Sequence, residues 1–179
     1  MLAPRTKTTG APRAMILTVQ HQLQSNEAHL ASYMELDALA TTLGIEIAKV
    51  HAQKRTHYSR ETYLGRGKLD ALIHLLRART EASDANKLDL ILVNDALSPK
   101  LQRTLELELG VEIMDRPGVI LEIFERRART HQARIEVEIA RLKYDLPRLR
   151  DDTTQRGREG GGGRGERGNK LVELEKQRV

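Results

Sequence analysis

Residues 155–173, QRGREGGGGRGERGNKLVE, set Arg156, Arg158, Arg164 and Arg167 among seven glycines, with no aliphatic side chain before Leu171. Arginine forks onto phosphate oxygens and stacks on bases, and glycine lets a backbone approach closely without side-chain bulk. Ordering such a loop costs about 1–2 kcal/mol per residue in backbone entropy, which a binding partner must offset. A flexible spacer is the competing interpretation, but spacers tend to be serine-rich rather than arginine-dense. The composition therefore points to contact with a nucleic acid through Arg156, Arg158, Gly160, Gly161, Gly162, Gly163, Arg164, Gly165, Arg167 and Gly168.

Other chemistry is poorly supported. Gly163 and Gly168 have the spacing of a Walker A loop, but Asn169-Lys170-Leu171 follows where Lys and then Ser or Thr are needed, and no strand signal precedes them. Gly160, Gly162 and Gly165 meet a dinucleotide fingerprint only because a glycine run meets almost any spacing. The absence of cysteine excludes disulfides, thiolate metal sites and cysteine nucleophiles. His21, His29, His51, His57, His74 and His131 show no metal-ligand spacing, and no nucleophile elbow or carboxylate pair stands out. Catalytic, cofactor-binding and metal-binding residues are accordingly expected to be absent. Asp95 follows an aliphatic run, a place where α/β sheets carry functional groups, although a turn residue ahead of a Ser98 helix cap is its simpler role.

The elements that must position these residues follow from periodicity. Met15–Gln20 reads as a buried strand. A helix follows it, capped by Ser25 or Asn26, striped by Leu30, Met34, Leu36, Leu39 and Leu43, and stopped by Gly44. Ile45–Ala52 alternates as a second strand, and Leu69, Leu72, Ile73 and Leu76 mark a second helix. Leu88–Asp95 is a continuous aliphatic run of the kind buried on both faces of a parallel sheet. Ser98-Pro99 opens its return helix, Gly110 closes it, and Val111–Asp115 is a fourth strand. From Gly118 onward strand signals cease. Ile135, Ile139, Leu142, Leu146 and Leu149 are spaced as a heptad-like helical stripe, which Pro147 should kink or end, and residues 169–179 restart helix.

The expected fold is α/β, a small four-stranded parallel sheet with flanking helices, followed by an antiparallel two-helix hairpin with the Gly/Arg loop at its tip. The expected boundaries are a disordered leader at 1–13, an α/β subdomain at 14–116, and a helical extension at 117–179 with its tip loop at 153–168. Charge divides along the same line. Through residue 115 the 14 basic and 14 acidic residues cancel, and the whole net charge of +5 lies beyond. No apolar run approaches the ~18 residues of a membrane span. The residues before Arg13 lack the apolar core of a secretory signal. A cytoplasmic monomer is expected.

Three segments resemble one family. YLGRGKLDAL (Tyr63–Leu72), DALSPKLQRTLE (Asp95–Glu106) and above all DRPGVILEIFERRARTHQARIEVEIARLKYDLPRL (Asp115–Leu149) resemble the N-terminal part of HflX-type ribosome-associated GTPases. The tip GGGGRGERGNKL stands where that family has GGIGTRGPGET, without its Pro and Glu-Thr. The resemblance implies that the extension reaches rRNA of the large ribosomal subunit, in proteins that bind and split ribosomes under stress. It also implies that GTP and Mg²⁺ belong to a following GTPase domain, a further partner of this module. No Walker A, switch or guanine-specificity motif occurs in the 179 residues. The chain is thus expected to be a fragment, an isolated domain or a truncated relative that does not hydrolyse GTP by itself. The alternative function is a protein-interaction or regulatory module that packs on a G domain and restrains it, with the glycine loop as a spacer.

Overall fold

The computed structural model describes residues 11–82 and 88–155. They form β1 (Arg13–His21), α1 (Asn26–Thr42), β2 (Glu46–Arg55), α2 (Arg66–Ala82), β3 (Leu90–Val93), α3 (Pro99–Leu109), β4 (Glu112–Asp115), α4 (Arg116–Arg127) and α5 (His131–Gln155). The strands make one parallel sheet in the order β2-β1-β3-β4. The expected α/β fold with a four-stranded parallel sheet is therefore present. The arginines and glycines of the tip, Arg156 to Gly168, and the helix expected at 169–179 lie outside the described residues.

The chain divides into two compact units, one built from β1–β4 and the helices between them through Arg116, the other from Pro117 onward together with residues 98–100. In the first, all four residues of β3 are buried, as a continuous aliphatic run requires. Side chains of β1 alternate between faces. Met15 and Leu17 join Tyr63, Leu64, Leu69, Leu72, Ile91, Leu101 and Leu105 in the main core. Ala14, Ile16 and Thr18, also buried, lie on the opposite side. Gly44 and Gly110 take φ of +72° and +66°, the left-handed conformation that closes α1 and α3.

Two expectations change. The stripe assigned to α1 is only half right: Leu36, Ala40 and Leu43 are buried, but Leu30 and Met34 are 43% and 57% exposed, and His29 takes the inward position one turn earlier. The second strand runs on to Arg55. Its last residues are polar because β2 is an edge strand, so apolar alternation could not mark them.

In the second unit, Thr130 caps α5 by accepting from the Ala133 N–H at 3.1 Å. Ile135 and Ile139 are buried with Leu142 packed against them, while the side chain of Leu149 lies outside the described residues. Pro147 does not end α5, which continues to Gln155. The guanidinium of Arg148 lies 3.4 Å from the Tyr144 ring centre and donates to the Tyr144 carbonyl at 2.8 Å. A side chain thus bonds a carbonyl beside the position where proline has no N–H to give.

Candidate functional site at the carboxyl end of the sheet

Open parallel sheets bind ligands outside the carboxyl ends of their strands, where the strand order reverses. In this sheet the reversal lies between β1 and β3. Asn94 and Asp95 leave β3 at that point, Thr18 and Gln20 lie near the end of β1, and α1 starts just beyond. Ser25 caps α1 by accepting from the Ala28 N–H at 3.1 Å, which orients the helix and brings His29 and Ser32 inward.

Asn94 is the centre of one network. Its side-chain amide donates to the Ser32 hydroxyl at 2.8 Å, and its carbonyl accepts from Arg116 at 3.2 Å. Arg116 also donates to the Ser32 carbonyl at 3.2 Å and pairs with Glu35 at 2.5 Å. One guanidinium thereby ties the ends of β3 and β4 to the second turn of α1. Its donors are largely used, so this network is a clamp rather than a free binding surface.

Asp95 belongs to a second cluster. It accepts a hydrogen bond of 2.5 Å from the hydroxyl of Tyr63, a fully buried residue with φ of +61°. A tight loop holds that conformation. Ser59 and Tyr63 exchange two backbone hydrogen bonds, and the Ser59 hydroxyl accepts from the Glu61 and Thr62 N–H groups. Burial pushes the phenol far above its ordinary range, and the Asp95 charge and hydrogen bond push it further. Tyr63 therefore stays neutral and cannot exchange protons near neutrality.

His29 lies close by, 6% exposed, its ring edge-on to Tyr33 with centroids 5.5 Å apart. Its Nε2 is buried without a partner among the described residues. Burial lowers its pKa, and Asp95 partly opposes that effect. The cluster combines a pinned phenol, one carboxylate and one neutral imidazole, and it lacks an activated nucleophile.

The sequence singled out Asp95, and the structure gives it a hydrogen-bonding role beyond the turn. The backbone of Leu97 is held instead by Asp115, which accepts from its N–H at 2.9 Å. His29, Tyr63, Asn94 and Arg116 were not identified from sequence. Asn94 stood in a polar pair ending an aliphatic run, His29 in the first turns of α1, and Tyr63 and Arg116 within segments that carry the family resemblance, but none of these signals assigned them to a site. His21 and His57 do meet, with ring centroids 5.5 Å apart, although 36 positions separate them in sequence. Among the described residues no group of three or more His, Cys, Asp or Glu side chains could hold a metal. No helix among them is long and apolar enough to cross a membrane.

Two family models match successive parts of the chain. Residues 30–125 match the family model described as GTP-binding GTPase N-terminal, and residues 127–179 match the one described as GTP-binding GTPase Middle Region. The chain is 37% identical over 155 residues to GTPase HflX of Alkalihalophilus pseudofirmus, which covers 87% of this chain and 35% of that protein. It is 35% identical over 184 residues to GTPase HflX of Gluconacetobacter diazotrophicus, 87% of this chain and 41% of the relative. The chain thus spans about two-fifths or less of the length of these relatives. A crystal structure of a GTP-binding protein from the hyperthermophilic archaeon Sulfolobus solfataricus in complex with GDP aligns with a TM-score of 0.61. The match covers 93% of this chain and 44% of that one at 20% identity, a likeness of fold.

Proposed function

Because the chain belongs to the HflX-type GTPase family, whose N-terminal and middle regions it matches, we propose that it is a ribosome-binding module acting on the large subunit through rRNA. In this reading residues 14–116 are an α/β body and residues 117–179 a helical extension. Its loop, beyond the end of α5 at Gln155 and up to residue 168, presents Arg156, Arg158, Arg164 and Arg167 to phosphates and bases. GTP hydrolysis, with GTP and Mg²⁺, falls to a separate GTPase domain that the module positions on the ribosome. The module works as a monomer in the cytoplasm, in ribosome splitting or rescue under stress.

The observation that carries the reading is a coincidence of family and charge: basic and acidic residues cancel through residue 126, and the whole net charge of +5 lies in residues 127–179, the part matched as the middle region. A basic appendage on a neutral body gains its affinity from counterion release along a polyanion. The test is co-sedimentation with purified large subunits across a salt series, beside a variant with Arg156, Arg158, Arg164 and Arg167 all changed to Ala. Removing one arginine–phosphate interaction lowers the slope of log affinity against log salt by about 0.7–0.9. The reading requires weaker binding and a shallower slope in the variant. Equal binding by both proteins would make the loop a spacer and favour a protein-interaction module acting on a G domain.

A further inference from the structure

One side of β2 is unused. The strand pairs with β1 over nine residues, and no described strand lies along its other edge. The Arg55 carbonyl accepts from the Gln22 N–H at 2.9 Å, on the β1 side. Backbone groups of successive strand residues point to alternate sides, so the N–H and C=O of Val50, Ala52 and Lys54 point away from β1. They have no partner among the described residues. An open edge of this length is a template for another strand, and proteins usually shorten it, cover it or guard it with charge.

Beside that edge lies a groove of about 230 Å³. Tyr33, Met34 and Asp37 of α1 line it together with Ala48, Lys49 and Val50 of β2. Met34 is 57% exposed and Val50 37%. Lysines alone would guard an edge, so a guard does not account for open apolar side chains next to it. Pockets for drug-sized ligands measure about 300–1,000 Å³, so this groove suits one or two apolar side chains rather than a cofactor. Methionine adapts its shape, which is why it recurs on surfaces that take peptides. Charge narrows the occupant further. Lys49 lines the groove, Lys54 shares the face of Val50 and Ala52, and neither lysine has an ion pair among the described residues. Glu46, at the start of the strand, is paired with Arg13 at 4.0 Å, which leaves Asp37 as the one carboxylate lining the groove.

We propose that the free edge of β2 and this groove bind an extended acidic peptide segment of a partner protein. The segment adds to the sheet as a further strand and bonds the outward N–H and C=O groups of Val50, Ala52 and Lys54. Its alternate apolar side chains enter the groove, and its carboxylates face Lys49 and Lys54. This surface is on the α/β body and does not depend on the tip arginines.

The probe is a fluorescein-labelled peptide of alternating valine and threonine, about seven residues long, with glutamate at both ends. It is titrated into the 179-residue chain and followed by fluorescence anisotropy. The expected result is saturable binding. The same peptide N-methylated along its backbone cannot donate to the edge and should bind at least about tenfold more weakly. Val50→Glu, which sets a like charge against the peptide, should also weaken binding at least about tenfold. Met34→Gln changes an exposed helix position without risk to the fold, and it should weaken binding in the same direction. Leu107→Gln, on α3 and 71% exposed, should leave binding unchanged. Lysine in place of the two peptide glutamates should weaken binding as well. No saturable binding, or equal binding of the N-methylated or lysine peptide, overturns the proposal. So does equal binding by both groove variants. A concentration-dependent dimer in sedimentation equilibrium that Met34→Gln dissolves would assign the edge to a second copy of this chain instead. The four-arginine tip variant should bind the peptide normally, so failure at the tip and failure at this edge are separable.

Discussion

Tyr63 is the residue whose conformation contradicts its type most plainly. A non-glycine residue in the left-handed region costs about 1–2 kcal/mol, and a large ring there is uncommon. The compensation is visible: complete burial, the 2.5 Å hydrogen bond to Asp95, and a ring contact with Tyr58 at 5.7 Å between centroids. Removing only the hydroxyl isolates one of these contributions. Tyr63→Phe is expected to destabilise the protein by about 1–2 kcal/mol, since Asp95 is half-buried and water can partly replace the phenol. A urea midpoint unchanged in that variant would show that the hydrogen bond does not hold the loop. Nothing in the sequence foretold this geometry. Tyrosine carries no left-handed signal, and its partner is 32 positions away.

Among the elements, α4 and α5 are linked by one cation. Arg141 lies 3.8 Å from Glu122 and 3.6 Å from Glu125 on α4, and 3.2 Å from Asp145 on its own helix. Burial alone would lower its pKa, but Asp145, Glu125 and Glu122 outweigh that and hold it above the ordinary arginine value. Removing the cation takes this partner from Glu125 and Asp145, while Glu122 keeps its pair with Arg126 at 3.3 Å. Arg141→Met, which keeps much of the apolar stem, is expected to cost about 1–3 kcal/mol and to speed amide exchange along α5 without affecting the sheet. Uniform loss of protection across sheet and helices would contradict a local role for this network. Strands and helices were otherwise readable wherever burial followed a single period: β3 from its aliphatic run, α2 from Leu69, Leu72 and Leu76, α3 from Pro99 and Gly110. The reading failed on α1, where an inward histidine displaced Leu30 and Met34 from the expected stripe. It also stopped short on β2, whose end is polar because one edge of that strand is unpaired.

For the molecule as a whole, perturbed ionisable groups set the pH limits of stability. The pKa values of His29 and His51 are lowered from 6.5, so the unfolded chain binds protons more readily than the folded one as pH falls through that value. Their contribution is complete above about pH 6.5 and is lost as pH drops below it, with a slope of at most ~1.4 kcal/mol per pH unit for each imidazole. Tyr63 limits the other side, because its pKa is raised above 10.0 and its contribution is lost as pH rises past that value. Unfolding free energy measured from about pH 5 to 8 should therefore rise and then level. His29→Leu should flatten the acidic limb, and an identical limb in that variant would remove His29 from the account. The candidate site was legible only in part, because Asp95 could be placed at a strand end from sequence whereas its companions converge from α1, a loop and the start of α4.

The central position of β1 also orders events during synthesis. Both of its neighbours come later in the chain: β2 pairs with it over nine residues from Arg13 to His21, and β3 over four from Ala14 to Leu17. A nascent chain can form the longer, more local pair as soon as residue 55 has emerged, which requires the smaller loss of chain entropy. Until Leu90–Val93 follows, the opposite edge of β1, including fully apolar Met15, Ile16 and Leu17, has no strand beside it. Over residues 56–93 of synthesis that apolar edge of β1 therefore lacks its partner strand, the kind of unpaired edge on which a nascent chain can misassemble.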